Sequence, residues 1–122
     1  MRAAGLHAIA TVLETEAVLI RSRTPKHPHH TQTIDLLTRR IAGVIAASKY
    51  VVVQYNIEND QLPAGLAITP GRRAPTISKL EEEGWFAVSA MVEKKKSAEV
   101  MDRLVVAGAH DILVFNLDNC RV

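Results

Sequence analysis

The chain has 122 residues, 48% hydrophobic and 23% charged, with a formal net charge of +2 at pH 7, which is ordinary for one soluble globular domain. The small charge and the 4% aromatic content argue against a nucleic-acid partner. Cys120 is the single cysteine and no apolar run reaches the ~20 residues of a membrane helix, so we expect a cytoplasmic protein with no membrane contact.

The first thirty residues combine an apolar stretch with a polar linker. Residues 8–21 fit either a helix or a strand by their periodicity, and residues 17–20 read as a short buried strand between charges. Residues 22–30 are polar and broken by proline, which predicts a surface linker. Its histidine-rich tract could bind a metal, but histidines without a carboxylate or thiol partner are more often solvated, and we predict no metal site.

A helix is predicted over residues 31–48. Thr31 or Thr33 can cap its beginning, and Asp35 lies in the first turn, where the helix dipole favours a negative charge. Apolar residues recur at steps of three and four and form one stripe, which comprises Ile34, Leu37, Ile41, Val44 and Ile45.

From residue 49 onward the pattern alternates between strands and helices. Strands are predicted at residues 49–56, 67–69, 76–80, 85–92 and 111–116, with a short edge segment at 117–122. Helices are predicted from residue 58 to a stop at Gly65 and from about Ser97 to a stop at Gly108. The order is β-α-β-β-α-β with an extra strand, which predicts an α+β ferredoxin-like fold with two helices on one face of an antiparallel sheet.

A turn-rich loop connects two of these strands. Pro70 and Gly71 give a turn signal, and Pro75 disfavours helical geometry at the preceding residue, so the loop should be stiff. It carries the polar residues Arg72, Arg73, Thr76 and Ser78. Such a loop is suited to binding a small polar molecule, and the alternative is a plain hairpin connection. The two arginines suit a carboxylate or phosphate, or are simply solvated.

No catalytic motif is visible. The sequence has no Gly-x-Ser-x-Gly, phosphate-binding Walker loop, HExxH or Cys-x-x-Cys pattern. The acidic residues considered as candidates occur singly in helix or loop contexts, without an evident pair of carboxylates; they are Asp35, Glu58, Asp60, Asp102 and Asp111. We therefore predict no catalytic residue in this chain.

Several long segments carry a family resemblance. ITPGRRAPTIS, EEGWFAVSAMV and the closing NCRV resemble the C-terminal regulatory part of long-form ATP phosphoribosyltransferase, the first enzyme of histidine biosynthesis, and the fungal members are the most similar. GLHAIATVLETEAVLIRS resembles the segment that ends that enzyme's catalytic domain. The resemblance implies a catalytic-domain remnant and linker at 1–30, a connecting helix at 31–48 and a ferredoxin-like regulatory domain at 49–122. It also favours strand for residues 8–21, whose apolar side chains we expect to pack on another copy of the chain.

The resemblance implies a site as well. The family's regulatory domain binds L-histidine between neighbouring domains and thereby inhibits the enzyme. Carried over by position, the effector-binding residues are Asn56, Arg72, Ala74, Thr76, Ala90, Met91 and Asp111. Bacterial relatives often have Asp at position 56, so Asn56 removes a negative charge, and Asp111 is the candidate to supply it instead.

The whole enzyme implied by the resemblance is a glycosyltransferase. It converts ATP and phosphoribosyl diphosphate to phosphoribosyl-ATP and diphosphate with Mg²⁺, and it is a homo-oligomer, a hexamer with dimer contacts through the regulatory sheet. Its phosphate-binding loop precedes the segment resembling MRAAGL, so this chain alone is expected to be inactive. Two alternatives are an assembly module that binds no ligand and an RNA-binding sheet; the second lacks an aromatic pair on a central strand.

Overall fold

The computed structural model describes residues 7–24 and 27–121. The chain divides after Thr31 into two units. In the first unit, residues 7–24 form neither helix nor strand, and Pro28–His30 forms one 3-10 turn.

The predicted strand within residues 8–21 is wrong. Its apolar side chains are exposed, with Ile9 at 91% and Val12 at 98%. A strand is stable only when a neighbouring strand satisfies its backbone hydrogen bonds, and the sheet that the structure describes contains no strand from this segment. The beginning of the apolar pattern, at residues 1–6, lies outside the described residues.

The second unit contains almost all of the regular structure. Its elements are α1 (Thr31–Ala47, which begins at the last residue of the first unit), β1 (Tyr50–Glu58), α2 (Leu62–Ile68), β2 (Thr76–Lys79), β3 (Trp85–Glu93), α3 (Ser97–Val106) and β4 (His110–Asn116). The strands form one antiparallel sheet in the order β2-β3-β1-β4. This order, with α2 and α3 packed on the core, confirms the predicted ferredoxin-like α+β fold.

The core lies between the two helices and one face of the sheet. Successive β-strand side chains point to opposite faces, so every second residue of β1 is buried. The buried residues of β1 are Val51, Val53, Tyr55 and Ile57, and they pack with Val100 and Leu104 of α3. The intervening residues Val52, Gln54, Asn56 and Glu58 therefore belong to the opposite face, which we call the open face.

Helix α1 forms where it was predicted, but its apolar stripe is not buried within this chain. The side chains of Ile34, Leu37 and Ile41 are each more than a third exposed, whereas Gly43 and Ala47 are the buried positions of the helix. Among the described residues no helix has the length and apolar character needed to cross a membrane.

Two predicted details between β1 and β2 are wrong. Gly65 does not end α2, because the helix continues to Ile68, and the predicted strand at 67–69 is therefore the last helical turn and its cap. Gly65 is needed inside the helix for close packing: a Cβ there would lie 2.8 Å from Cδ1 of Ile57. The low helix propensity of glycine suggests that a helix ends there, but close packing against β1 is the reason for a glycine at this position.

The predicted edge segment at the C-terminus is also not a strand. Residues 117–121 follow β4 without joining the sheet, and the last residue lies outside the described part. The backbone N–H of Cys120 instead donates a hydrogen bond to the carbonyl oxygen of Gly43, at 3.1 Å. The segment is thus bound to α1, a contact between residues far apart in sequence.

Candidate functional site

The loop that leads to β2 begins from a point fixed in the core. The hydroxyl of Thr69 donates to the carbonyl oxygen of Gly65 at 3.1 Å, so its oxygen accepts the proton of the Tyr55 hydroxyl at 2.8 Å. Both side chains are buried. Burial raises the pKa of Tyr55 above its ordinary value of 10.0, and the hydrogen bond to Thr69 partly opposes that rise. The start of the loop is therefore held by a neutral hydrogen-bond chain.

The loop itself turns at Gly71, whose φ is +66°. A Cβ at this position would lie 3.2 Å from the carbonyl carbon and oxygen of Ala74, so the turn leaves little room for a side chain. Within the turn, the guanidinium carbon of Arg72 lies 5.9 Å from the centroid of the Tyr50 ring. This distance is within the range of a cation–π contact.

The loop leads into β2, an edge strand of the sheet, where Thr76 pairs with Ser89 of β3. A cleft of about 680 Å³ lies between the loop and this part of the sheet. Its lining residues are Val52, Arg72, Arg73, Ala74, Thr76, Ser89, Ala90, Met91 and Arg121. Among the sheet residues of this lining, those with side chains on the open face can turn them towards the cleft. Ala90 is buried on the opposite face, against the helices, so it contributes mainly its backbone to the lining.

Five of the seven sequence-predicted site residues therefore lie together. They are Arg72, Ala74, Thr76, Ala90 and Met91. The other two form a separate pair: Nδ2 of Asn56 donates a hydrogen bond to Oδ2 of Asp111 at 3.0 Å.

This pair lies on the same sheet but outside the lining of the cleft. Asn56 is two residues along β1 from Gln54, which pairs with the cleft residue Ser89, and that step is about 7 Å. Asp111 has φ of 50°, at a register irregularity between β1 and β4. The left-handed conformation is one that Asp tolerates better than most residues, and here it carries the carboxylate to the amide of Asn56.

Sequence reasoning missed one residue of the cleft that comes from a distant part of the chain. Arg121 lines the cleft, and its Nη1 donates to the carbonyl oxygen of Arg39 at 2.6 Å. A Cβ at Gly43 would collide with the side chains of Arg121 and Asn119, so a bulkier residue would displace the segment. A glycine inside the helical pattern of α1 was the available signal, but nothing in the sequence identified what approaches it.

The polar groups of the cleft are predominantly cationic. Arg72, Arg73 and Arg121 contribute three guanidinium groups, and no described residue of the lining is acidic. The hydroxyls of Thr76 and Ser89 have no hydrogen-bond partner among the residues that the structure describes. The cleft therefore offers many donors and few acceptors, which favours a ligand with an oxyanion.

A metal-binding cluster does not occur in the described part of the chain. No group of three or more His, Cys, Asp or Glu side chains there is placed to hold a metal ion. His27, His29 and His30 contact one another, with ring centroids between 4.1 and 5.7 Å apart. The absence of a metal site in the chain as a whole remains a prediction.

Comparisons with known proteins identify relatives of the whole chain. The family described as "HisG, C-terminal domain" matches residues 47–119. A curated protein of Yarrowia lipolytica named "ATP phosphoribosyltransferase" is 58% identical over 122 residues, covering all of this chain and 40% of the relative. Proteins of the same name from Saccharomyces cerevisiae and Schizosaccharomyces pombe are 52% and 51% identical, covering 100% and 99% of this chain and 40% and 39% of theirs. The chain thus spans about 40% of the length of these relatives.

Proposed function

The chain belongs to the family of HisG C-terminal domains, as its motifs predicted, and we propose that it is the regulatory part of an ATP phosphoribosyltransferase that binds L-histidine as a feedback inhibitor. The observation that carries the proposal is the cleft beside the loop. It collects five of the seven residues that the family resemblance assigned to histidine from their positions in the sequence alone.

The chemistry of the cleft supports an amino-acid ligand. A free amino acid needs donors for its carboxylate and acceptors for its ammonium group. Arg72 and the hydroxyl of Thr76 are suitable donors for the carboxylate. The candidate acceptors lie on the same sheet but outside the cleft lining, where one carboxylate oxygen of Asp111 accepts a hydrogen bond from Asn56 and the other oxygen is left for an ammonium or imidazole group.

Assembly is part of the same proposal. The cleft lies on the open face of the sheet, opposite the face against which α2 and α3 pack, and a neighbouring copy placed there would close it. Apolar side chains on the same face support such a contact: Leu113 and Phe115 of β4 are 52% and 46% exposed. We propose a homo-oligomer, a hexamer in the full-length protein, with dimer contacts through the regulatory sheet.

The activity of the longer protein is also a proposal. Because the curated relatives are named ATP phosphoribosyltransferase, the complete protein is proposed to form phosphoribosyl-ATP and diphosphate from ATP and phosphoribosyl diphosphate, with Mg²⁺, in the cytoplasm. The metal and both substrates would be held by the rest of that protein. The 122-residue chain alone is proposed to be inactive, and an assay of diphosphate release would test this.

A second function, assembly without a ligand, is favoured by the same apolar residues of β4. The two functions differ in what L-histidine does. A pure assembly module forms the same oligomer with and without the amino acid, whereas a regulatory domain takes it up and is stabilised by it.

The direct test is calorimetric titration of the chain with L-histidine. Thr76→Val keeps the shape of the side chain and removes the hydroxyl from the cleft, so we expect about tenfold weaker binding, the equivalent of about 1.4 kcal/mol. Ser78→Ala is the matched control, since Ser78 lies on the same face of β2 but outside the lining, and its affinity should stay within about twofold of the original. Absence of binding by the unsubstituted chain in its assembled form would contradict the proposal.

A further inference from the structure

Three arginines converge on the cleft from two distant parts of the chain. Arg72 and Arg73 belong to the loop, and Arg121 belongs to the segment after β4. We call these three residues the arginine cluster. Only Arg72 is in the set of residues assigned to L-histidine, so Arg73 and Arg121 are without a role in that proposal.

The positive charge of the cluster is not compensated within the described chain. No described acidic residue lines the cleft, and no ion pair joins any of the three arginines to a described carboxylate. Like charges lining one cleft repel each other and raise the local concentration of anions. A histidine zwitterion brings one carboxylate together with one ammonium group, so it cannot neutralise three guanidinium groups.

Two members of the cluster are positioned by contacts with the protein. Arg72 lies over the Tyr50 ring, and Arg121 donates a hydrogen bond to the carbonyl oxygen of Arg39. Each guanidinium group has five N–H donors, and these contacts leave most of them available. The unpartnered hydroxyls of Thr76 and Ser89 lie in the wall of the same cleft and add two more donors.

We propose that the arginine cluster is a binding site for the phosphate group of a small phosphorylated molecule. A phosphate carries close to two negative charges at neutral pH and several acceptor oxygens, which matches a set of guanidinium and hydroxyl donors better than a single carboxylate does. The cleft, at about 680 Å³, is within the size range of small-molecule sites. This site goes beyond the proposed histidine function: it shares Arg72 and Thr76 with that function, and Arg73 and Arg121 distinguish it.

The test is calorimetric titration of the 122-residue chain with inorganic pyrophosphate at low ionic strength and without divalent cations. We expect saturable binding, and we expect Arg73→Gln and Arg121→Gln each to weaken it at least fivefold. Arg40→Gln is the matched control: it removes the same charge from an exposed residue of α1 that is not part of the cleft lining, and should change the affinity less than twofold. Arg73 makes no described hydrogen bond or ion pair, so its substitution should leave folding intact, and circular dichroism would verify this.

Two further titrations distinguish the phosphate site from histidine binding and from a general attraction of anions. With L-histidine, Arg73→Gln and Arg121→Gln should bind within about twofold of the original chain, so failure of histidine binding and failure of the phosphate site are seen independently. A dicarboxylate such as malonate should bind more weakly than pyrophosphate. The proposal is overturned if pyrophosphate does not bind, if malonate binds more tightly, or if Arg40→Gln weakens binding as much as the cluster substitutions do.

Discussion

The two faces of the sheet are built from the same strands but differ in the burial of their side chains and in their access to the cleft. On the helix-covered face, the side chains of Val51, Val53 and Tyr55 are buried, and the hydroxyl of Tyr55 has a hydrogen-bond partner in Thr69. On the open face, neighbouring residues of the same strand, such as Val52 and Asn56, are only partly buried, and the cleft lies above this side.

This difference shows how one sheet can serve both stability and ligand recognition. Alternation along a strand gives one face to packing, where volume and hydrogen bonding determine stability, and the other to recognition, where charge and donors determine affinity. Substitutions on the first face should therefore change the free energy of unfolding, and substitutions on the second should change binding. Paired substitutions on the two faces test this division.

The largest expected effect comes from a pair of adjacent valines. Val53 is fully buried, so Val53→Ala removes two methyl groups from the core and should lower the free energy of unfolding by about 2 kcal/mol. Val52→Ala makes the same change on the open face and should cost less than about 1 kcal/mol. Urea unfolding monitored by circular dichroism measures both, and equal losses would refute the division between the faces.

A smaller effect is expected where the loop is attached to the core. Tyr55→Phe removes the hydroxyl that donates to Thr69 but retains the ring, and should lower the free energy of unfolding by about 1 kcal/mol. Thr69 keeps its bond to Gly65, so no buried donor is orphaned. Thermal unfolding is a suitable measurement. A variant as stable as the original would mean that this hydrogen bond does not fix the loop.

The same residue predicts a pH dependence. The pKa of Tyr55 is raised in the folded chain, so above about pH 10 the unfolded chain loses this proton before the folded chain does. The stability contributed by the neutral phenol is thus fully present below about pH 10 and is lost as pH rises from there through the folded pKa. Unfolding is measured at about pH 8 and at about pH 11. Between these two values the free energy of unfolding should fall more for the original chain than for Tyr55→Phe, because the two chains differ in this one titrating group. Equal losses would contradict the assigned burial.

The smallest effect on stability is expected for Asn56. Asn56→Ala removes its hydrogen bond to Asp111, and because Asp111 is exposed, the loss in unfolding free energy should stay below about 1 kcal/mol. Its effect on L-histidine affinity should be greater, since the pair is the proposed acceptor end of the site. Gln54→Ala on the same face is the control. If Asn56→Ala lowers the free energy of unfolding but leaves the affinity for L-histidine unchanged, the pair is structural.

The fold could be predicted from the sequence wherever the signal was local. The strands predicted at residues 49–56 and 85–92 and the helix predicted from about Ser97 correspond to β1, β3 and α3, and the loop between Pro70 and Thr76 was recognised as a candidate site. What could not be predicted depends on distant contacts. Gly65 reads as a helix end until Tyr55 and Ile57 are seen against it, and Arg121 enters the cleft only because its segment packs on α1.

The strand predicted near the N-terminus was wrong for a related reason. Apolar, β-branched residues are typical of a strand, but a strand forms only when another strand accepts its hydrogen bonds. No such partner is present among the described residues. Asn56 and Asp111 are likewise separated from the other five site residues by the register and geometry of the strands. Carrying residues over from a family by their sequence positions gives no information about that register.

The most direct measurement is an amide chemical-shift titration of the isotope-labelled chain with L-histidine. The amides of the loop, of Thr76 in β2 and of Ser89 and Met91 in β3 should shift together and saturate, while those of α3 shift little. Saturating shifts confined to the helices, or no shifts at all in the assembled protein, would contradict the claim that the ligand binds at the open face of this sheet.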